Sequence, residues 1–307
     1  MSSERLASVS YPSARKAGIG EQVDSLKPKK LNLERIVAMT FLAVCAIYFL
    51  LPFFWLIVAA TKNQGDLYGT FGLWFANFNL FSNLQLLFTY DNSIYLYWLL
   101  NTILYAGVGA LVGTLIASMA GYALAKYVFA GRNLMFAVVL GAILVPVTAL
   151  ALPLYLLMSK VSLSNTYWSV LLPSMVSPFG VYLSRIYAAA SVPDELMEAS
   201  RIDGAGEWLT YTIALRLMVP ALVTIFLFQF VAIWNNYFLP LVMLSSDNLY
   251  PITVGLQLWN ANSSGTHLFL SNLVVCGSLV SAIPLLIGCM YLQRYWRGGL
   301  GAGSVKG

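Results

Sequence analysis

Six stretches without a single charged residue dominate this chain: 36–60, 98–125, 133–159, 161–184, 217–246 and 268–293. Each is 24 to 30 residues long, and a helix needs only about 20 mostly apolar residues to cross the hydrocarbon of a bilayer. A chain that is 59% hydrophobic and 9% charged cannot hide such a surface in a soluble core, where roughly 25% of residues are charged. Strands of a membrane barrel are about ten residues long and alternate apolar with polar residues, a pattern absent here. The expectation is an all-α membrane protein with six transmembrane helices.

Charge then orients the helices. An even number of crossings puts both termini on one side. Counted from an inward N-terminus, 15 of the 17 Lys and Arg fall on inner segments, leaving only Lys62 and Lys160 outside. Cytoplasmic segments hold the excess of Lys and Arg, so a multi-pass protein of the cell membrane with both termini cytoplasmic is expected. The net charge of +5 becomes a topological bias and not a nucleic-acid surface. Residues 1–32 lack hydrophobic periodicity and read as a flexible cytoplasmic tail; Lys27, Lys29 and Lys30 near its end, with Arg35 beyond it, are expected to anchor at anionic headgroups beside the first span. The membrane domain is expected over 33–293 and a second cytoplasmic tail over 294–307. The first apolar run lacks a small-residue cleavage site, so a removed signal peptide is not expected.

Within this frame, Gly109, Gly113, Ala117 and Gly121 recur at every fourth position of the second run. That spacing puts small residues on one helix face, where backbones approach closely. Runs three to six contain Pro146, Pro153, Pro173, Pro178, Pro220, Pro240 and Pro284, each removing a backbone donor and bending its helix. The segment 61–97, rich in aromatics, reads as an interfacial or short helical excursion.

The inventory for catalysis is poor. His267 is the only histidine, and Cys45, Cys276 and Cys289 lie in apolar runs without metal spacing. There is no HExxH, GxSxG or GxxxxGK[ST]. The chain is not expected to be an enzyme or to hold a cofactor of its own.

One polar interruption stands out. Residues 185–215 hold Asp194, Glu195, Glu198, Asp203 and Glu207. Ser191-Val192-Pro193-Asp194 has the form of a helix start, a Ser cap with an early proline and an acidic first turn. Leu196, Met197, Ala199 and Ile202 follow with helical spacing, Gly204 and Gly206 end the helix, and Trp208 and Leu209 lead into the fifth run. A short helix at about 191–209, with one apolar and one acidic edge, suits a groove on a soluble partner. It suits an anionic leaflet poorly.

The letters of this segment, Glu198-Ala199-Ser200 followed by Asp203-Gly204-Ala205, resemble the EAA loop (EAA-x-x-DGA) of ABC-importer permeases. Ile213-Ala214-Leu215 and Pro220 continue that pattern; Ser200 replaces its second alanine, and Arg216 stands where a proline is usual. Trp234-Asn235-Asn236-Tyr237-Phe238-Leu239-Pro240-Leu241 resembles the W-N-x-(F/Y)-x-x-P-L stretch of carbohydrate permeases. Asn101-Thr102, the stretch 121–126 and the ending 293–307 are similar to the second permease subunit of maltose-type systems. The resemblance implies the type I ABC-importer permease fold with a cytoplasmic coupling helix. It implies that Glu198, Ala199, Asp203, Gly204 and Ala205 dock on a separate ATPase, which binds the ATP and magnesium. It further implies a second homologous permease, two ATPase subunits and an extracytoplasmic sugar-binding protein as partners. In such systems the C-terminal tail reaches the ATPase, which implies the same for Gly303, Ser304, Val305 and Lys306.

A neutral polyol is recognised by amides, hydroxyls and aromatic faces. Polar side chains of this kind within the runs are Asn101, Gln229, Asn235, Asn236 and Tyr237, with Asn272, Ser278 and Ser281. Buried polar groups in a membrane face the bundle, where each can equally bond a neighbouring helix. Asn235 and Asn236, adjacent amides beside Trp234 and Tyr237, are the foremost pair. The cargo stays open between a di- or oligosaccharide and a glycerol 3-phosphate or related polyol phosphate. A self-contained six-helix channel or facilitator, working without an ATPase, is the alternative of another class.

Overall fold

The computed structural model describes residues 33–263 and 268–301, with side chains through residue 292. All regular structure among the described residues is helical. Two compact units result, Met1–Phe53 and Phe54–Gly307. The described part of the first is the apolar, largely exposed start of helix α1 (Leu33–Ala60).

The segment expected to be an excursion is a built structure. It contains α2 (Gln64–Gly69), α3 (Leu80–Thr89) and a left-handed turn in which Asp91, Asn92 and Ser93 have φ of 49°, 53° and 64°. Lys62 is buried at 1% exposure, and its Nζ donates to the Phe71 carbonyl at 2.7 Å. Asn83 Nδ2 donates to the carbonyls of Ala60 and Lys62 at 3.0 and 2.8 Å, and Asn272 Nδ2 donates to Lys62 O at 3.0 Å. These side chains supply partners for carbonyls that the end of α1 leaves open.

Helix α4 (Ile94–Lys126) is the axis of the second unit. After it come α5 (Arg132–Ile143), α6 (Val147–Lys160), α7 (Tyr167–Ser174) and α8 (Pro178–Ser191). Then follow α9 (Asp194–Ile202), α10 (Glu207–Leu217), α11 (Val219–Trp234), α12 (Phe238–Met243), α13 (Ile252–Asn262) and α14 (Phe269–Gly301).

The apolar runs do not all become single rods. Three helical stretches are long and apolar enough to cross a membrane: Leu33–Ala60, Leu80–Lys126, which includes the turn at Asp91–Ser93, and Phe269–Leu292. The pairs α5/α6 and α10/α11 bend by 105° and 79°, and counting each pair as one span gives up to five. The expected fourth span is divided between α7 and α8. Proline marks the breaks: Pro146 precedes α6, Pro178 opens α8 and Pro220 lies in the first turn of α11, at positions where a missing N–H is harmless; before Pro178, Ser177 also turns away from helix (φ −133°, ψ 88°). Where α7 ends, Gln229 Nε2 from α11 donates to the Ser174 carbonyl at 2.9 Å, the kind of satisfaction a broken helix in lipid requires. The last helix runs on to Gly301, past residue 293, where the membrane domain is expected to end; arginine is a good helix former.

The small-residue face of α4 is used for close approach. A Cβ on Gly121 would lie 2.5 Å from Ser184 Cβ and 2.7 Å from the backbone N of Arg185 on α8; at Gly113 it would overlap Gln229 and come 2.8 Å from Met175 O. Gly121→Val is therefore expected to force α4 and α8 apart and cost about 1–3 kcal/mol, seen as a lower melting temperature of the detergent-solubilised protein. An unchanged melting temperature would show that the α8 backbone yields freely.

Candidate coupling site and transport path

The site begins where α8 stops. Pro193 pushes Val192 into extended backbone (φ −106°, ψ 108°), so Ser191 is the last residue of α8 and not the cap of the next helix. The sequence expectation of a Ser191 cap is corrected here. α9 starts at Asp194 behind Pro193 without a side-chain cap, and spans Asp194–Ile202 rather than 191–209. Asp194 and Glu195 in its first turn favour the helix dipole.

The other end of α9 closes as the glycines foretold. Gly204 has φ +75°, its N–H bonds to Arg201 O at 3.1 Å, and the Ala205 N–H bonds to Ser200 O at 2.9 Å. This is a Schellman turn, whose left-handed position suits glycine. α10 then starts at Glu207, making a corner of two helices.

The inner face of that corner is fixed by packing. Met197 is buried with Tyr122 of α4, Ala188 and Val192, and Tyr211, Ala214 and Met218. Ser200, the departure from the EAA letters, is buried, with its hydroxyl 2.9 Å from Thr210 Oγ1 and donating to Met197 O at 2.9 Å. The structure thus gives this serine a partner that alanine would lack. Ser118 and Tyr211 hydroxyls meet at 2.6 Å in the same layer.

Polar ties flank the packed face. Lys126 Nζ lies 2.8 Å from Asp194 Oδ1, the lysine side chain 6% exposed and the aspartate 80%. Tyr127 OH donates to Glu207 Oε2. Burial, followed by this hydrogen bond, pushes the Tyr127 phenol well above its ordinary value, so it keeps its proton and donates. Arg201 reaches the other Glu207 oxygen at 3.4 Å.

The outer face is open. Glu195, Glu198, Ala199, Asp203 and Gly204 are exposed and Ala205 is half-buried. Ile202 is 85% and Trp208 69% exposed. The five coupling residues read from sequence therefore lie together on one corner. The exposed Ile202 and Trp208 extend it.

Similarity to known proteins bears on the family and the fold. Residues 113–295 match the sequence profile of the family described as binding-protein-dependent transport system inner membrane component. The chain belongs to that family. It is 37% identical to the arabinooligosaccharides transport system permease protein AraQ of Halalkalibacterium halodurans, over 71% of this chain and 80% of the relative. It is 29% identical to the lactose transport system permease protein LacG of Rhizobium radiobacter, over 90% of this chain and 97% of the relative. Its fold is similar to a chain in the crystal structure of a bacterial ABC transporter involved in the import of the acidic polysaccharide alginate, with a TM-score of 0.76, 21% identity, and coverage of 88% of this chain and 98% of that one. The all-α fold is that of a type I ABC-importer permease.

The residues expected from sequence to line a transport path fall in three separate places. Asn101 is buried on α4 and donates through Nδ2 to the carbonyls of Asn248 and Tyr250 at 2.7 and 3.1 Å. It also lines a groove of about 580 Å³ with Tyr97, Leu104, Tyr167 and Trp168. Gln229 is packed between α4 and α7, its Oε1 without a partner among the described residues. Asn235, Asn236 and Tyr237 form the break between α11 and α12. Asn235 is exposed and bonds its own helix at Val231 O, 2.8 Å away, while the Asn236 carbonyl accepts from Thr253 Oγ1 at 2.8 Å. The groove aromatics Tyr97, Tyr167 and Trp168 were missed from sequence, because aromatics abound in every run and only their convergence distinguishes these three. Asn272 holds the Lys62 carbonyl, and Ser281 bonds Ser278 O at 2.9 Å. Gly303, Ser304, Val305, Lys306, His267 and the tail 1–32 lie outside the described residues.

Proposed function

We propose that this chain is one half of the membrane channel of an ATP-driven importer of di- or oligosaccharides. It pairs with a second homologous permease, two separate ATPase subunits and an extracytoplasmic sugar-binding protein. The observation that carries this reading is the α9–α10 corner. Its inner face packs on Tyr122 of α4 through Met197, and Ser200 ties its two helices together through Thr210, while its outer face presents Glu198, Ile202 and Trp208 to solvent. Monomeric surfaces have little reason to display an isoleucine and a tryptophan beside acidic residues, whereas docking surfaces do. The bias of Lys and Arg supports a cytoplasmic position for this corner and for both termini. In this reading the tail residues Gly303, Ser304, Val305 and Lys306 belong to the same ATPase interface.

Two features support a neutral sugar. No Lys or Arg falls in the apolar runs, and a phosphorylated cargo needs a cation along its path. The relatives named for arabinooligosaccharides and lactose carry sugars by their names. Asn101 with Tyr97, Tyr167 and Trp168 offers an amide among aromatic faces, the chemistry a sugar ring requires.

The test is reconstitution of the complete complex in vesicles and measurement of ATP-dependent uptake of arabinotriose, lactose, raffinose, maltotriose and glycerol 3-phosphate. Uptake of at least one sugar, abolished without ATP, is expected. Uptake of glycerol 3-phosphate alone contradicts the cargo, and uptake without ATP contradicts the coupling.

A further inference from the structure

Two adjacent residues at the C-terminal end of α4, its last residue and its cap, hold the first residues of both helices in the α9–α10 corner. Lys126, the last residue of α4, pairs with Asp194, which opens α9, at 2.8 Å; Tyr127, the next residue, donates to Glu207, which opens α10. The corner is also joined to the rest of the unit along the chain, through α8 and Pro193 at one end and α11 at the other. The lateral grip on α4 is separate from those connections.

The grip has the character of a positioning device. Asp194 is 80% exposed and Glu207 60% exposed, so neither tie stabilises the fold much. The Lys126 side chain, 6% exposed, is nevertheless kept with its ammonium at the first residue of α9. Tyr127 stays protonated and so remains a donor. Between the two ties, Tyr122 of α4 packs in one cluster with Met197 of α9 and Tyr211 of α10. The same α4 helix, further along, contacts α8 through Gly121, α7 and α11 through Gly113, and α11 again through Gly109.

We propose that Lys126 and Tyr127 are positioning residues that lock the α9–α10 corner to α4, so that a displacement of the corner is carried into the membrane bundle sideways through α4 and not only along the chain through α8. This inference rests on the ATPase-docking reading above. It adds which side chains transmit the movement.

The experiment uses the full complex in vesicles, measuring sugar accumulated and ATP hydrolysed in the same sample. The sugar is whichever of the panel the unaltered complex takes up, and ATPase content is measured by gel. The double variant Lys126→Met/Tyr127→Phe keeps the apolar stem and the ring. It is expected to retain the full ATPase content and an unchanged melting temperature, while sugar moved per ATP falls at least about fivefold, the lower end of ordinary coupling between sites. Lys126→Arg, which keeps the charge and the reach, is expected to keep the unaltered ratio. A ratio in the double variant equal to the unaltered one overturns the inference. So does loss of ATPase from the double variant alone, because the residues would then maintain the docking surface itself. Absence of ATPase from the unaltered complex refutes the docking reading instead.

Discussion

Ile202→Asp is expected to leave the melting temperature of this permease unchanged and to strip the ATPase from it. The side chain is 85% exposed, and surface substitutions away from special features change stability by only about 0.5 kcal/mol. An apolar anchor at the centre of an interface costs about 2 kcal/mol or more when lost, roughly thirtyfold in affinity, and an aspartate there adds an unpaired charge. Gly204→Val acts by a second route. A Cβ there meets nothing within 4 Å, yet the backbone has φ +75°, where an ordinary side chain costs about 1–2 kcal/mol. The Schellman turn opens and Ile202 and Trp208 no longer share a face. Both effects are read by co-purification of the ATPase with the tagged permease, alongside a thermal melt. Retention of the ATPase by both variants contradicts the placement of the interface on this corner.

The largest effect on stability is expected at the opposite end of α4. Trp98 is 2% exposed, its ring covers Gly255 of α13, and its centroid lies 4.6 Å from that of Trp259. Its Nε1 donates to the Asp247 carbonyl at 2.9 Å. Trp98→Ala empties this cluster of Tyr95, Trp259, Leu270 and Leu273 and is expected to cost about 3–5 kcal/mol. Trp98→Phe loses the hydrogen bond and part of the ring, and lies between. Melting in detergent and the yield of folded protein measure both; equal melting temperatures for the three proteins contradict the packing argument.

Much of the architecture was legible because lipid leaves few choices. Helices are the only unbarrelled structures that satisfy their backbone in hydrocarbon, so charge-free runs led directly to an all-α fold. The breaks were harder to place. Proline marks them, but Pro284 lies inside the continuous helix α14 while Pro178 begins α8 after a break; the difference lies in Gln229 arriving from a distant part of the chain to hold the freed Ser174 carbonyl. At the corner, Gly204 was read correctly because a left-handed residue has a glycine signature. Ser191 was misread because a serine before Val-Pro-Asp fits a cap as well as it fits the end of the preceding helix, and Pro193 decides in favour of the latter. The grip of Lys126 and Tyr127 could not be read at all, since 68 and 80 residues separate the partners.

The most direct measurement places a photo-crosslinking amino acid at position 202 of the full-length protein in its native membrane, with position 74 as comparison. Trp74 belongs to the aromatic segment before α3 and is 67% exposed. The account predicts an adduct with the ATPase from position 202 and none from position 74. No ATPase adduct from position 202, or equal adducts from both positions, would contradict it.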